Sequence, residues 1–86
     1  MTRTIAFDPN GWEDYVYWQT QDRTTRKRVN QLIADTLRDP LAGIGKPEPL
    51  KHILSGAWSR RIDGANRLVY YVTDDHVVTR QARDHY

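Results

Sequence analysis

An 86-residue chain with 13 Lys and Arg against 11 Asp and Glu carries a formal net charge of only +2. That is enough length for one small core and too little charge to hold a polyanion by bulk attraction alone. With no cysteine, and with histidines at 52, 76 and 85 that lack the i, i+4 spacing of a helical zinc motif, disulfides and thiolate metal sites are excluded and neither metal nor cofactor is expected. No apolar run reaches membrane-spanning length and the first residues lack the apolar core of a signal peptide. The expectation is a soluble cytoplasmic protein, a single domain over residues 1–86, with no membrane partner.

Residues 3–7 alternate Arg, Thr, Ile, Ala, Phe, the pattern of a short strand that needs partners elsewhere. Asp8 then offers a helix N-cap with Pro9 at the first helical position, where its missing N–H costs nothing. In the helix from Pro9 to about Thr20, Trp12, Tyr15 and Val16 fall at i, i+3, i+4 and Trp18 adds bulk. This aromatic stripe is expected in the core; stacking on nucleotide bases would require exposed rings. Asp22 caps a second helix whose apolar face, Val29, Leu32, Ile33 and Leu37, runs to a stop at Asp39-Pro40, so two short-linked helices pair antiparallel. Arg26-Lys27-Arg28 point in different directions around it, either a solvated face or an electrostatic strip for RNA phosphate.

From Pro40 to Pro49 come three of the four prolines and two of the five glycines, which reads as a loop. Strand signals follow at Leu50–Leu54, Ala57–Ile62, Arg67–Val72 and Val77–Ala82, separated by Ser55-Gly56, Asp63-Gly64 and Asp74-Asp75. The plan is α+β: a short strand, two antiparallel helices, then an antiparallel β-meander with both helices on one face.

Charge is distributed unevenly along this plan. The first 45 residues carry six charges of each sign, whereas residues 46–86 hold seven basic and five acidic groups. Glu48 sits between Pro47 and Pro49, with Lys46, Lys51, Arg60, Arg61 and Arg67 around it in sequence. The prolines stiffen the backbone at that carboxylate. With a hairpin loop at Asp63-Gly64-Ala65, Arg61 lies opposite Arg67, Ser59 opposite Val69 and Ala57 opposite Tyr71 on one face; Trp58, Arg60, Leu68 and Tyr70 take the other. A following loop at Thr73-Asp74-Asp75 pairs Tyr71 with Val77 and Arg67 with Gln81, carrying Arg83 and His85 onto the arginine side. Two arginines facing each other repel, and neither can shed its proton. An anion between them, or splaying into water, relieves the conflict. His85, with an ordinary pKa of about 6.5, can donate or accept a proton near neutrality.

The tract Gly45-Lys46-Pro47-Glu48-Pro49-Leu50-Lys51-His52, with Leu54-Ser55-Gly56, Trp58-Ser59-Arg60-Arg61-Ile62, Arg67-Leu68-Val69-Tyr70, Val72-Thr73-Asp74-Asp75 and His85-Tyr86, resembles the YoeB toxins of the RelE superfamily. The likeness extends to Trp12, Asp14-Tyr15, Tyr17-Trp18 and the second helix. It implies a RelE-like microbial RNase fold and a toxin of a type II toxin-antitoxin module: a ribosome-dependent mRNA endonuclease cutting in the A site, restrained by a YefM-type antitoxin and able to pair as a homodimer. The net charge of only +2 separately leads to the expectation that the ribosome positions the substrate, with basic faces docking on ribosomal RNA. By that resemblance Glu48 matches the general base, His85 the general acid and Arg67 the residue stabilising the scissile phosphate. Lys51 and Arg61 match further basic residues of the site, and Tyr86 a terminal tyrosine that places substrate. Asp84 stands where an aromatic residue is expected. The rivals are a ParE-like non-enzymatic inhibitor on the same fold and a basic RNA-binding module. Neither has a chemical reason to assemble Glu48, Arg67 and His85.

Overall fold

The computed structural model describes residues 3–51 and 56–84. Its elements are β1 (Thr4–Phe7), α1 (Pro9–Thr20), α2 (Arg23–Arg38), β2 (Glu48–Leu50), β3 (Ala57–Arg61), β4 (Arg67–Val72) and β5 (His76–Gln81). Strands β2 to β5 run as an antiparallel meander, and β1 adds to the edge of β5 in parallel, giving the order β1-β5-β4-β3-β2. The sheet is therefore mixed rather than purely antiparallel, within the expected α+β plan. No described helix is long and apolar enough to cross a membrane.

The caps fall where the short polar residues place them. The Asp8 carboxylate accepts from Gly11 N–H at 2.8 Å with Pro9 at the first turn, and Asp22 accepts from Thr24 N–H at 3.1 Å and the Thr25 hydroxyl at 2.6 Å. Helix α2 buries Val29, Leu32 and Thr36, with Ile33 and Leu37 packed at the margin, as its periodicity predicts. Helix α1 departs from expectation. Trp12 and Val16 are 53% and 42% exposed, and the face turned inward carries Gly11 and Trp18. The cause is Gly11: a Cβ there would stand 2.1 Å from the Thr79 carbonyl oxygen of β5, so only glycine allows α1 to lie this close to the strand. Trp12 packs instead against Phe7 and Tyr15, with ring centroids 5.5 and 5.9 Å away.

The main core lies between the helices and the sheet: Trp18, Val29, Leu32, Ile62, Leu68, Tyr70, Val77 and Ala82. On the opposite face Leu50, Ala57 and Val69, with Tyr71 against them, make a smaller apolar floor.

The β3–β4 register is the one the Asp63-Gly64-Ala65 loop predicts, with Ala57 opposite Tyr71, Ser59 opposite Val69 and Arg61 opposite Arg67. Beyond it the register slips. Thr73 N–H bonds the His76 carbonyl and the Thr73 hydroxyl accepts from the Asp75 and His76 N–H groups, which tightens the turn by a residue. Val78, not Val77, now faces Tyr71, and Val77 enters the helix-side core. A bulge between Val69 and Tyr70 then pairs Gln81 with Val69 rather than with Arg67. Strand β2 also differs from expectation: it begins at Glu48, because a proline inside a strand is tolerated on a sheet edge, where its missing N–H faces outward. Of the expected strand at Leu50–Leu54, residues 52–55 lie outside the described residues.

Candidate active site

Sheet register brings the charged groups to one face. Glu48 pairs with Ser59, which pairs with Val69, and two residues along β3 Arg61 pairs with Arg67. Side chains directly opposite in a sheet share a face, and so do residues two apart. Glu48, Arg61 and Arg67 therefore stand on the side of the sheet away from the helices. With strands about 4.8 Å apart and a rise of about 3.4 Å per residue, the Cα of Glu48 lies about 8 Å from that of Arg61 and about 12 Å from that of Arg67. Side chains of their length span such gaps around a group the size of a phosphate.

The two arginines form a particular kind of pair. Arg61 N–H donates outward to the Gly45 carbonyl at 2.7 Å and Arg67 N–H to the Asp84 carbonyl at 2.8 Å, so they exchange no backbone bonds with each other. Opposed residues of this type approach to about 4.5 Å between Cα atoms, the closer of the two antiparallel spacings. Neither guanidinium has a carboxylate partner among the described residues. Nη1 of Arg67 donates to the Asp63 and Asn66 carbonyls at 2.9 and 3.3 Å, which fixes the side chain over the hairpin. The hairpin is itself tied by Asp63, whose carboxylate accepts from Ala65 and Asn66. Partial burial opposes ionisation of that carboxyl, yet these hydrogen bonds win and hold it below the usual range.

The approach to Glu48 is set by a buried cation. The Arg60 side chain, 0% exposed, pairs with Asp35 Oδ2 at 2.7 Å and donates to the carbonyls of Asp39, Ala42 and Ile44 and to the Tyr70 hydroxyl. That hydroxyl donates to Pro40 O at 2.7 Å. The loop between α2 and β2 is thus wrapped around one guanidinium. Asp35 also accepts from Arg38 and from Ile44 N–H, and these bonds, Arg38 foremost, hold its carboxyl at about 2. Gly45, at a φ of +80° and with no room for a Cβ against Leu32, then turns the chain toward β2.

Past β5, Ala82 is held by α1 at both backbone groups: Trp18 Nε1–H donates to its carbonyl at 2.6 Å and its N–H donates to Asp14 Oδ2 at 3.1 Å. Burial pushes the Asp14 carboxyl above its ordinary value, against the pull of the Ala82 N–H and Arg83. Asp84 N–H donates to Asn66 Oδ1 at 2.6 Å. Asp84 takes a φ of +61°, a left-handed conformation that aspartate tolerates better than most side chains.

Of the residues expected in the site, Glu48, Arg61 and Arg67 share a face, and Lys51 is exposed at the end of β2. Arg83 does not join them as the expected register implied. Its guanidinium lies 3.8 Å from the centroid of Tyr17 on α1, because β5 ends at Gln81 and the next residue, Ala82, is held by α1 rather than by the sheet. His85 and Tyr86 lie outside the described residues. Sequence reasoning missed Asp14, Trp18, Asp35 and Asn66, whose side chains act on backbone groups remote in the chain; the available sign was a carboxylate and an indole four residues apart on a helix.

A family model for the YoeB-like toxin of bacterial type II toxin-antitoxin systems matches residues 7–86. The chain belongs to this family. It is 62% identical over 82 residues to toxin YoeB of Streptomyces coelicolor, covering 95% of this chain and 98% of that protein. Among solved structures it is similar to the YoeB dimer from Staphylococcus aureus, with a TM-score of 0.89 and 42% identity over the whole of both chains. It is also similar to the YoeB–YefM complex from the same organism, with a TM-score of 0.87 and 41% identity, again over both whole chains. In this YoeB-like toxin the described residues of the candidate site that share one face are Glu48, Arg61 and Arg67; Lys51 is exposed past the far end of β2.

Proposed function

We propose that this toxin is a ribosome-dependent endoribonuclease that cuts messenger RNA in the A site. The observation that carries the reading is the placement of one carboxylate, Glu48, and two arginines without a carboxylate partner among the described residues, Arg61 and Arg67, on the sheet face away from the helices. The segment preceding His85 is bonded to Arg67 itself. Glu48 takes the proton of a ribose 2′-OH, the 2′-oxygen attacks the adjacent phosphorus, the bond from phosphorus to the 5′-oxygen breaks, and His85 protonates that oxygen. Arg67 and Arg61 offset the charge that builds on the phosphorane, with Lys51 a further basic residue of the site and Tyr86 placing substrate. Each positioned proton-transfer group contributes about 10²–10⁴ in rate. The chemistry asks for no metal, and the product is a 2′,3′-cyclic phosphate or the 3′-phosphate that water makes from it.

A chain of net charge +2 needs the ribosome to present the message, with basic surfaces of the toxin on ribosomal RNA. A YefM-type antitoxin is the proposed inhibitor, by analogy with the complex of the similar Staphylococcus aureus protein. A homodimer is supported by that organism's YoeB dimer and by the exposed Trp12 and Val16. The cytoplasm, where ribosomes are, is the proposed compartment.

The test is primer-extension mapping of messenger on translating ribosomes, comparing the protein with Glu48→Gln and His85→Ala. Expected is cutting within the A-site codon, lost by at least a hundredfold in either variant while ribosome binding persists. Wild-type cutting by Glu48→Gln, or 3′-hydroxyl ends on the cut messenger, would reject the reading.

A further inference from the structure

We propose that Asp14 and Trp18 of α1 are positioning residues for RNA cleavage, acting on the C-terminal segment rather than on substrate; this rests on the functional reading above, in which His85 is the acid. Asp14 and Trp18 are four residues apart and so share one side of the helix. That side faces β5 because Gly11, one turn earlier, permits contact with the Thr79 carbonyl. Together the two side chains take both backbone groups of Ala82, which is 0% exposed.

From there each residue is held in turn. The Arg83 guanidinium lies over Tyr17, also on α1, and the Arg83 carbonyl accepts from Gln81 Nε2 at 3.0 Å. Asp84 gives its N–H to Asn66 and its carbonyl to Arg67 N–H. The chain leaving β5 is thereby turned off α1 and onto the base of the hairpin that carries Arg61 and Arg67, ending one residue before His85. An acid must sit within hydrogen-bond reach of the oxygen it protonates, so a loosened segment loses rate without losing affinity for the ribosome.

A core contact that merely supports the fold would change the amount of active protein. A positioning contact changes the rate at saturation and depends on the acid being there. The experiment is single-turnover cleavage at saturating ribosome complexes for Asp14→Ala, Asp14→Asn, Trp18→Phe, His85→Ala and the Asp14→Ala/His85→Ala double variant, with thermal unfolding followed in parallel. Expected is a loss of about tenfold or more in the maximal rate for Asp14→Ala and Trp18→Phe. The half-saturating concentration stays within about twofold. Asp14→Asn, whose amide oxygen still accepts from Ala82, returns to within about threefold of the parent. In the His85→Ala background Asp14→Ala costs less than about twofold more, since both act through one group. Equal losses in both backgrounds, or Asp14→Asn as slow as Asp14→Ala, would overturn the proposal, as would wild-type rates in Asp14→Ala beside a crippled His85→Ala. Wild-type cutting by His85→Ala would instead bring down the functional reading and this inference with it. Should Asp14→Ala fail to fold, Trp18→Phe alone and paired with His85→Ala gives the same comparison.

Discussion

Asp35→Ala removes the carboxylate that faces the buried Arg60. The Arg60 side chain is 0% exposed and Asp35 stands 2.7 Å from Nη1, so the variant leaves a buried guanidinium without its carboxylate. Breaking a buried pair from one side costs about 3–5 kcal/mol. The carbonyls of Asp39, Ala42 and Ile44 still accept from Arg60, but they bring no countercharge. A domain of this length has about 4–13 kcal/mol in all, and for such domains each kcal/mol moves the melting temperature by about 4–8 °C. The expected drop is therefore about 12–40 °C in a thermal melt, with a matching fall in urea midpoint and an unchanged slope. Arg60→Met alone, and the Asp35→Ala/Arg60→Met pair, complete the cycle. The double variant should be more stable than Asp35→Ala because the stranded charge is gone. A change below about 1 kcal/mol in Asp35→Ala would refute the reasoning, since the loop carbonyls would then suffice to hold Arg60.

The same pair sets a pH dependence. The Asp35 carboxyl is lowered from 3.8 to about 2 on folding, so its stabilisation is complete above about pH 4 and disappears as pH falls toward 2; urea titrations across that window should show a steeper loss for the parent than for Asp35→Ala. Gly11→Ala places a Cβ 2.1 Å from a backbone oxygen and should destabilise by about 1–3 kcal/mol as α1 is pushed off β5; an unchanged urea midpoint would contradict the close approach. Arg67→Lys keeps the charge but loses the fork that holds the hairpin carbonyls and, in the proposed mechanism, would also meet the phosphate, so single-turnover cleavage should fall by about tenfold or more with ribosome binding intact; parent-like rates would mean that charge alone suffices.

What the sequence made legible, and what it hid, divides on physical grounds. Hairpin loop length sets register directly, and so Asp63-Gly64-Ala65 was enough to put Arg61 opposite Arg67. The next turn defeated the same logic because the Thr73 hydroxyl, a side-chain contact, shortened it. Alternation cannot see that β5 ends at Gln81, and beyond that point contacts with α1, not the strand, direct Arg83 to Tyr17. In α1 the count of apolar residues pointed to Trp12 and Val16, while packing was decided by a residue with no side chain. Family likeness pointed to Glu48, Lys51, Arg61 and Arg67 as candidates before any geometry. It could not reveal that Arg60, equally basic in sequence, is spent inside the protein on the loop that leads to Glu48.

The arrangement at the base of the β3–β4 hairpin ties these observations together. Arg61 and Arg67 are opposed at the closer of the two antiparallel spacings, where like charges cost most. That spacing exists because each residue turns its N–H outward, Arg61 to Gly45 and Arg67 to Asp84. Gly45 begins the approach to Glu48, and Asp84 ends the approach to His85. The same backbone bonds that crowd the two cations therefore tether the two segments that supply the proposed base and acid. An unliganded sheet holds repulsion there that a phosphate would convert to attraction, and in the proposed mechanism substrate charge is met at the point where both tethers converge. Regrouping these parts elsewhere on the sheet would require a different hairpin register, since a one-residue slip of β3 would send Arg61 to the helix side, away from Arg67, and Arg60 to the opposite face.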